Sequence, residues 1–210
     1  MTGETSELAK DETGGILAGF TLIELMVVIG IIAILASVAF VSMLHYGMII
    51  RVNASARDLG GHTRLARAQA IRDGKSVMML FNVSGASITA ATDSYSYGVD
   101  SDENGTFDGL SKTNFLQDGI VFNFIDGAVA VPGHPYPIAC PVDIAGCSQS
   151  YFHFRRDGTA TFDGVSYVIP GQDLAGTGKR DDRMRAVDWS AGSGRVRVWR
   201  YYPAEGYIWR

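Results

Sequence analysis

Four groups of residues in this 210-residue chain have the types and spacing to do chemistry. Asp100-Ser101-Asp102-Glu103-Asn104-Gly105, followed by Asp108, sets oxygen-bearing side chains at alternate positions around a glycine, as the opening of a calcium loop does. The candidate ligands are Asp100, Asp102, Asn104 and Asp108. Ser111 stands where such a loop has its bidentate Glu, and ordinary surface turns use the same residue types. Near the C-terminus, Gly194-Arg195-Val196-Arg197-Val198-Trp199-Arg200-Tyr201-Tyr202 alternates like a strand, so that Arg195, Arg197, Trp199 and Tyr201 share one face. Cations beside aromatics can hold phosphates and stack on bases, and Lys179, Arg180, Arg183 and Arg185 could enlarge the patch. The plainer alternative is a half-exposed strand with solvated arginines, some paired with Asp181 and Asp182. Cys140 and Cys147 form the third group, in a loop bearing Pro and Gly. The fourth is Glu24, a single carboxylate at the head of a long apolar run; at mid-membrane a charge costs about 2.5 to 3.5 kcal/mol, so it needs a partner.

Catalytic constellations are missing from the sequence. His45, His62, His134 and His153 make no metal-spaced pair, and no nucleophile elbow occurs. Gly176-Thr177-Gly178-Lys179-Arg180 lacks the first glycine of a phosphate loop, which is Asp173 here, and has Arg180 in place of its hydroxyl residue. With 18 Lys and Arg against 22 Asp and Glu, the net charge of −4 creates no global basic field, so nucleic-acid binding would have to be local. The expectation is a chain that is not an enzyme and carries no cofactor beyond the calcium considered above.

The elements that must position these residues begin with Leu25–Leu44, twenty residues without a charge. At about 1.5 Å per residue a helix of this length spans roughly 30 Å, the hydrocarbon thickness of a bilayer. Thr21 and Glu24 have the spacing of a capping box at its start. From Arg51 to Arg72 the positions Val52, Ala56, Leu59, Ala66 and Ala70 recur at helical spacing, which predicts an amphipathic continuation of the same helix. Gly60-Gly61 predicts a soft or kinked point within it, and Gly74 a stop. After Lys75 short β-prone runs alternate with turn residues: Val77–Val83, Ser87–Ala91, Tyr95–Val99, Ile120–Ile125, Tyr151–Phe154, Thr159–Phe162, Val165–Ile169, Arg195–Tyr201 and Gly206–Trp209. Their number predicts an antiparallel, sandwich-like domain and an α+β class.

The junction Gly19-Phe20-Thr21-Leu22-Ile23-Glu24-Leu25 resembles the type IV prepilin signal, and Leu65 to Val77 is similar to the helix-to-strand passage of the H pseudopilin of type II secretion and its minor-pilin relatives, the GspH/FimT family. This resemblance implies a type IV pilin-like lollipop with four parts: a cleaved leader (1–19), a membrane-spanning helix that becomes filament core (20–50), its amphipathic continuation (51–75) and a periplasmic β-rich domain (76–210). Prepilin peptidase would cut after Gly19 and methylate Phe20, and Glu24 would pair with the α-ammonium of a neighbouring subunit's first residue. The expected partners are other pseudopilins or pilins, the peptidase, an inner-membrane assembly platform and, before assembly, lipid. The expected function is that of a minor pseudopilin in a type II secretion system; the competing one is a minor pilin that binds DNA for uptake, whose G-R-x-R segment is matched at Gly194, Arg195 and Arg197. The resemblance also implies an N-terminus in the cytoplasm and a C-terminal domain in the periplasm, where Cys140 and Cys147 would form a disulfide; free thiols are the other state the residues allow. Charge points the other way: the leader carries Lys10 against Glu4, Glu7, Asp11 and Glu12, while Arg51, Arg57, Arg64, Arg67 and Arg72 follow the apolar run.

Overall fold

The computed structural model describes residues 20–83, 93–125, 128–134, 142–145, 148–174, 181–202 and 208–210. Gly19, Ser87–Ala91, Cys140 and Cys147 with their expected bond, and Lys179 and Arg180 lie outside these residues. The first element among the described residues is one helix, α1 (Leu22–Asp73), and the chain divides into two compact units, Met1–Leu44 and His45–Arg210.

In the first unit Thr21 caps the helix: its Oγ1 accepts the amide of Glu24 at 3.2 Å, satisfying one of the first-turn donors. The stretch Leu22–Phe40 is long and apolar enough to cross a membrane, and none of it is buried. Burying a large apolar side chain is worth about 1.5 to 3 kcal/mol, so a helix bare on all faces must find lipid or protein to cover it.

In the second unit Val52, Ala56, Leu59, Ala66 and Ala70, the stripe expected from spacing, are all at most 1% exposed. The helix runs through Gly60 and Gly61 without a break. Gly60 is there for space, since a Cβ on it would lie 2.7 Å from Val198 Cγ2, whereas one on Gly61 would meet nothing within 4 Å. The helix ends where Gly74 takes a positive φ of 63°.

Two antiparallel sheets follow. Strands β1 (Val77–Asn82), β2 (Ser94–Val99), β3 (Lys112–Phe115) and β6 (Tyr151–Phe154) form one, in the order β3-β2-β1-β6. Strands β4 (Ile120–Phe122), β7 (Gly164–Pro170), β8 (Arg185–Trp189), β9 (Val196–Tyr202) and β10 (Ile208–Trp209) form the other, in the order β10-β9-β8-β7-β4, and β5 (Val142–Ile144) also pairs with β7. The expected strand Thr159–Phe162 is absent; only a single bridge joins Ala160 to Phe154, because Asp157 turns the chain by accepting from the Thr159 amide and hydroxyl at 2.9 and 2.7 Å. Lys112–Phe115, Val142–Ile144 and Arg185–Trp189 are strands that periodicity did not suggest.

One core joins the helix stripe to both sheets. Trp189 of β8 stacks on Phe152 of β6 at 4.2 Å between ring centroids and on Phe81 of β1 at 5.6 Å, so the two sheets meet through aromatic rings. A second, smaller core with Tyr167, Met184, Tyr201 and Trp209 covers the opposite face of the larger sheet.

Candidate functional site

The residues singled out for chemistry fall into separate places. At the N-terminus, Phe20, Thr21 and Glu24 are all exposed, Glu24 in the first turn of α1, where the positive end of the helix favours a carboxylate.

The acidic loop follows β2. Oxygens of Asp100, Asp102 and Asp108 lie within 4.8 Å of one another, but the loop is closed by donors of its own. Asp100 is fully buried and accepts the Gly105 amide at 2.8 Å, the Asn104 amide at 3.2 Å and His153 Nε2 at 2.8 Å. Asp108 accepts the Ser101 amide at 2.9 Å, and Asn104 Oδ1 accepts the Thr106 amide at 2.8 Å. Burial opposes the charged form of Asp100, and the His153 ring with the Gly105 amide outweighs it, holding the carboxyl below its usual range. Asp102, bonded to the Asn104 amide nitrogen, and Asp108 are exposed, whereas Asp100 is buried. His153, which the sequence offered no reason to choose, is thus the inner wall of this loop.

The basic strand is also internally committed. Arg197 donates to Asp188 through Nε at 3.2 Å and Nη2 at 2.6 Å, and its guanidinium lies over the Trp199 ring at 4.8 Å. Asp188 is 2% exposed; burial alone would raise its carboxyl, and the neighbouring His134 ring and Arg197 guanidinium hold it below the usual range instead. The arrangement is a buried carboxylate clamp, with the Arg197 charge neutralised at source. Arg195 precedes β9 and is exposed, with no ion-pair partner among the described residues. Gly194, the first residue of the G-R-x-R segment, has a positive φ of 59°, and a Cβ on it would press into the Gly158 carbonyl. Its place in the motif therefore has a packing reason. Arg183 is buried against Asp173 at 3.4 Å, and Arg185 is buried beside α1, donating to Asn53 Oδ1 at 2.7 Å.

Three of the arginines behind the apolar run serve the fold. Arg67 donates to the Gly158 carbonyl and to the Ser193 carbonyl, both at 2.9 Å, Arg64 to the Val196 carbonyl at 3.3 Å and Arg51 to the Asp118 carbonyl at 3.5 Å. They fasten the helix to turns and to the first residue of β9, so these three charges have partners within the fold.

Compared with known proteins, residues 18–40 match the prokaryotic N-terminal methylation motif. The motif falls on the start of α1, and an antiparallel β domain follows that helix. No curated protein matches the chain. Among solved structures it is similar to the type IV minor pilin FimU of Pseudomonas aeruginosa (11% identity over 75% of this chain and 92% of that one, TM-score 0.45). It is also similar to the minor pseudopilin EpsH of the type 2 secretion system of Vibrio cholerae (13% identity over 73% of this chain and 98% of that one, TM-score 0.43).

Proposed function

We propose that the chain is a minor pseudopilin of a type II secretion system, cut after Gly19, methylated on Phe20 and added to a periplasmic filament through its apolar helix. The observation that carries this reading is the methylation motif over residues 18–40, laid on a capped helix whose apolar faces are bare all round. Before assembly lipid covers Leu22–Phe40, with the N-terminus in the cytoplasm and the β domain in the periplasm. An inner-membrane platform then lifts the subunit out, and helix-on-helix contact replaces lipid. Glu24, exposed in the first turn, pairs with the α-ammonium of a neighbour's Phe20, so that two charges enter the apolar filament core as a neutral pair. The chemistry is assembly, not catalysis.

N-terminal sequencing and mass measurement of the membrane-extracted protein test this: methyl-Phe20 is expected, and a chain still starting at Met1 refutes it. Glu24→Ala is expected to be cleaved normally but left out of filaments; normal incorporation removes the pairing role. The DNA-uptake reading retains one observation, the exposed Arg195. It predicts a salt-dependent duplex shift lost on Arg195→Ala and indifferent to Arg197, which Asp188 already occupies.

A further inference from the structure

The register of the larger sheet puts Arg185 of β8 directly opposite Arg200 of β9. Side chains opposite one another in an antiparallel pair share a face, and like charges in that position repel. Here that face is the one turned to α1, since Val187 and Val198, the next pair along, pack into the core with the helix stripe. Arg185 is 2% exposed, yet no carboxylate is in ion-pair contact with it among the described residues. Its Nε donates to Asn53 Oδ1 at 2.7 Å and its Nη1 to the carbonyls of Asp182 and Met184 at 3.1 and 2.8 Å, all neutral acceptors. Its Nη2 is buried without any hydrogen-bond partner. Burial, followed by the charge of Arg200, pushes the Arg185 guanidinium down to about 10, outweighing Tyr202 and the Asp182 carboxylate, which act the other way. Arg200 is exposed, and its guanidinium and that of Arg210 both lie over the Tyr202 ring, at 5.0 and 5.8 Å from its centroid. A buried cation hydrogen-bonded only to neutral acceptors, with an unmet donor, a second cation across the ladder and the Asp182 carboxylate acting on it without an ion-pair contact, is an arrangement that an anion relieves: it would add negative charge and accept from the guanidinium forks, as oxyanions do.

We propose that Arg185 and Arg200, with Arg210 and Tyr202 beside them, form a binding site for a phosphate-type oxyanion. Arg200 is the accessible donor that captures it, and Arg185 is the fixed buried charge that holds it. Two sources offer this chemistry, free phosphate and the phosphodiester headgroup of an anionic lipid. The site stands on its own geometry; only the lipid source rests on the membrane reading above.

The test is calorimetric titration of the full chain, in a neutral detergent at constant ionic strength, with inorganic phosphate and with glycerol phosphate. Saturable binding is expected, weakened about tenfold by Arg200→Gln, which removes one charge-assisted donor at an exposed position, and unchanged by Arg156→Gln, an exposed arginine elsewhere. Repeating the phosphate titration in nanodiscs of phosphatidylcholine with and without phosphatidylglycerol separates the sources. Weaker apparent phosphate binding in the anionic discs identifies the headgroup as occupant, and equal binding identifies the free anion; both support the site. No saturable heat with either phosphate, or heat that Arg200→Gln leaves unchanged, overturns it. So does duplex DNA that binds through Arg200 while both phosphates give nothing. A chain found methylated on Phe20 but silent toward phosphate would sink this proposal and leave the assembly reading standing.

Discussion

Replacing Gly60 and Gly61 separately by Ala asks whether the double glycine exists for flexibility or for space. Both lie inside α1, where Ala is favoured over Gly by about 1 kcal/mol. At Gly61 nothing lies within 4 Å of the added Cβ, so the whole gain is realised. At Gly60 the Cβ arrives 2.7 Å from Val198 Cγ2. Carbon atoms settle at about 3.5 to 4.0 Å, so helix and β9 must part by roughly 1 Å, and overpacking of this kind costs about 1 to 3 kcal/mol. Gly61→Ala should therefore gain about 1 kcal/mol while Gly60→Ala gains nothing or loses up to about 2. At about 2 to 4 °C per kcal/mol for a unit of this size, the two midpoints should differ by several degrees, with Gly61→Ala the higher. Near-ultraviolet circular dichroism of the detergent-solubilised chain can follow the melt, because Trp189 reports the core. Val198→Ala should rescue Gly60→Ala and leave Gly61→Ala unaffected, since it removes the methyl that is struck. Equal rises for both single variants would show that the helix does not press on β9 and would refute the reasoning.

Other substitutions probe the remaining contacts. Gly194→Ala combines a positive φ with a clash against Gly158 and should lose about 3 kcal/mol or more in denaturant melts; a loss below about 1 would contradict the close approach. Asp188→Asn should cost about 1 to 3 kcal/mol at neutral pH by breaking the Arg197 clamp. Because the folded Asp188 carboxyl titrates below its ordinary value, its contribution is complete above about pH 4 and fades as pH falls through the folded value. The gap between wild type and Asp188→Asn should thus close on acidification, and a gap constant down to about pH 2 would show that the carboxylate's charge is not what matters. Millimolar calcium should shift the melting midpoint by less than about 1 °C, because Asp100 already accepts from Asn104, Gly105 and His153; a clear rise abolished by Asp102→Asn would establish a metal site.

What could be read from the sequence was whatever depends on local periodicity. Val52, Ala56, Leu59, Ala66 and Ala70 announce a buried helical stripe because spacing alone fixes a helix face, and the structure buries all five. The apolar run was read as Leu25–Leu44 from its lack of charge, and the structure has Leu22–Phe40 as the stretch long and apolar enough to cross a membrane. Contacts set by strand register were not. His153 meets Asp100 across 53 positions, and Arg185 meets Asn53 across 132, so nothing local marks either pair. Nothing near the Gly60-Gly61 pair in sequence shows the packing reason for Gly60, because Val198, which approaches it, lies far along the chain. Arg197 is a similar case: alternation showed its face correctly, but the same face carries Asp188 on the neighbouring strand, directly opposite in the register. Lys112–Phe115 was missed since its four residues, three of them polar and mostly exposed, carry no alternating pattern.

Arg67 holds two turns at once, the one after β6 through the carbonyl of Gly158 and the one before β9 through that of Ser193. These belong to different sheets, so a single guanidinium on the helix works as a rivet through both leaves of the domain. Tension on the helix would reach the two leaves together, instead of stripping one leaf from the other. Removing that rivet should lower the pulling force at which the sheets part before it alters how either one is hydrogen-bonded.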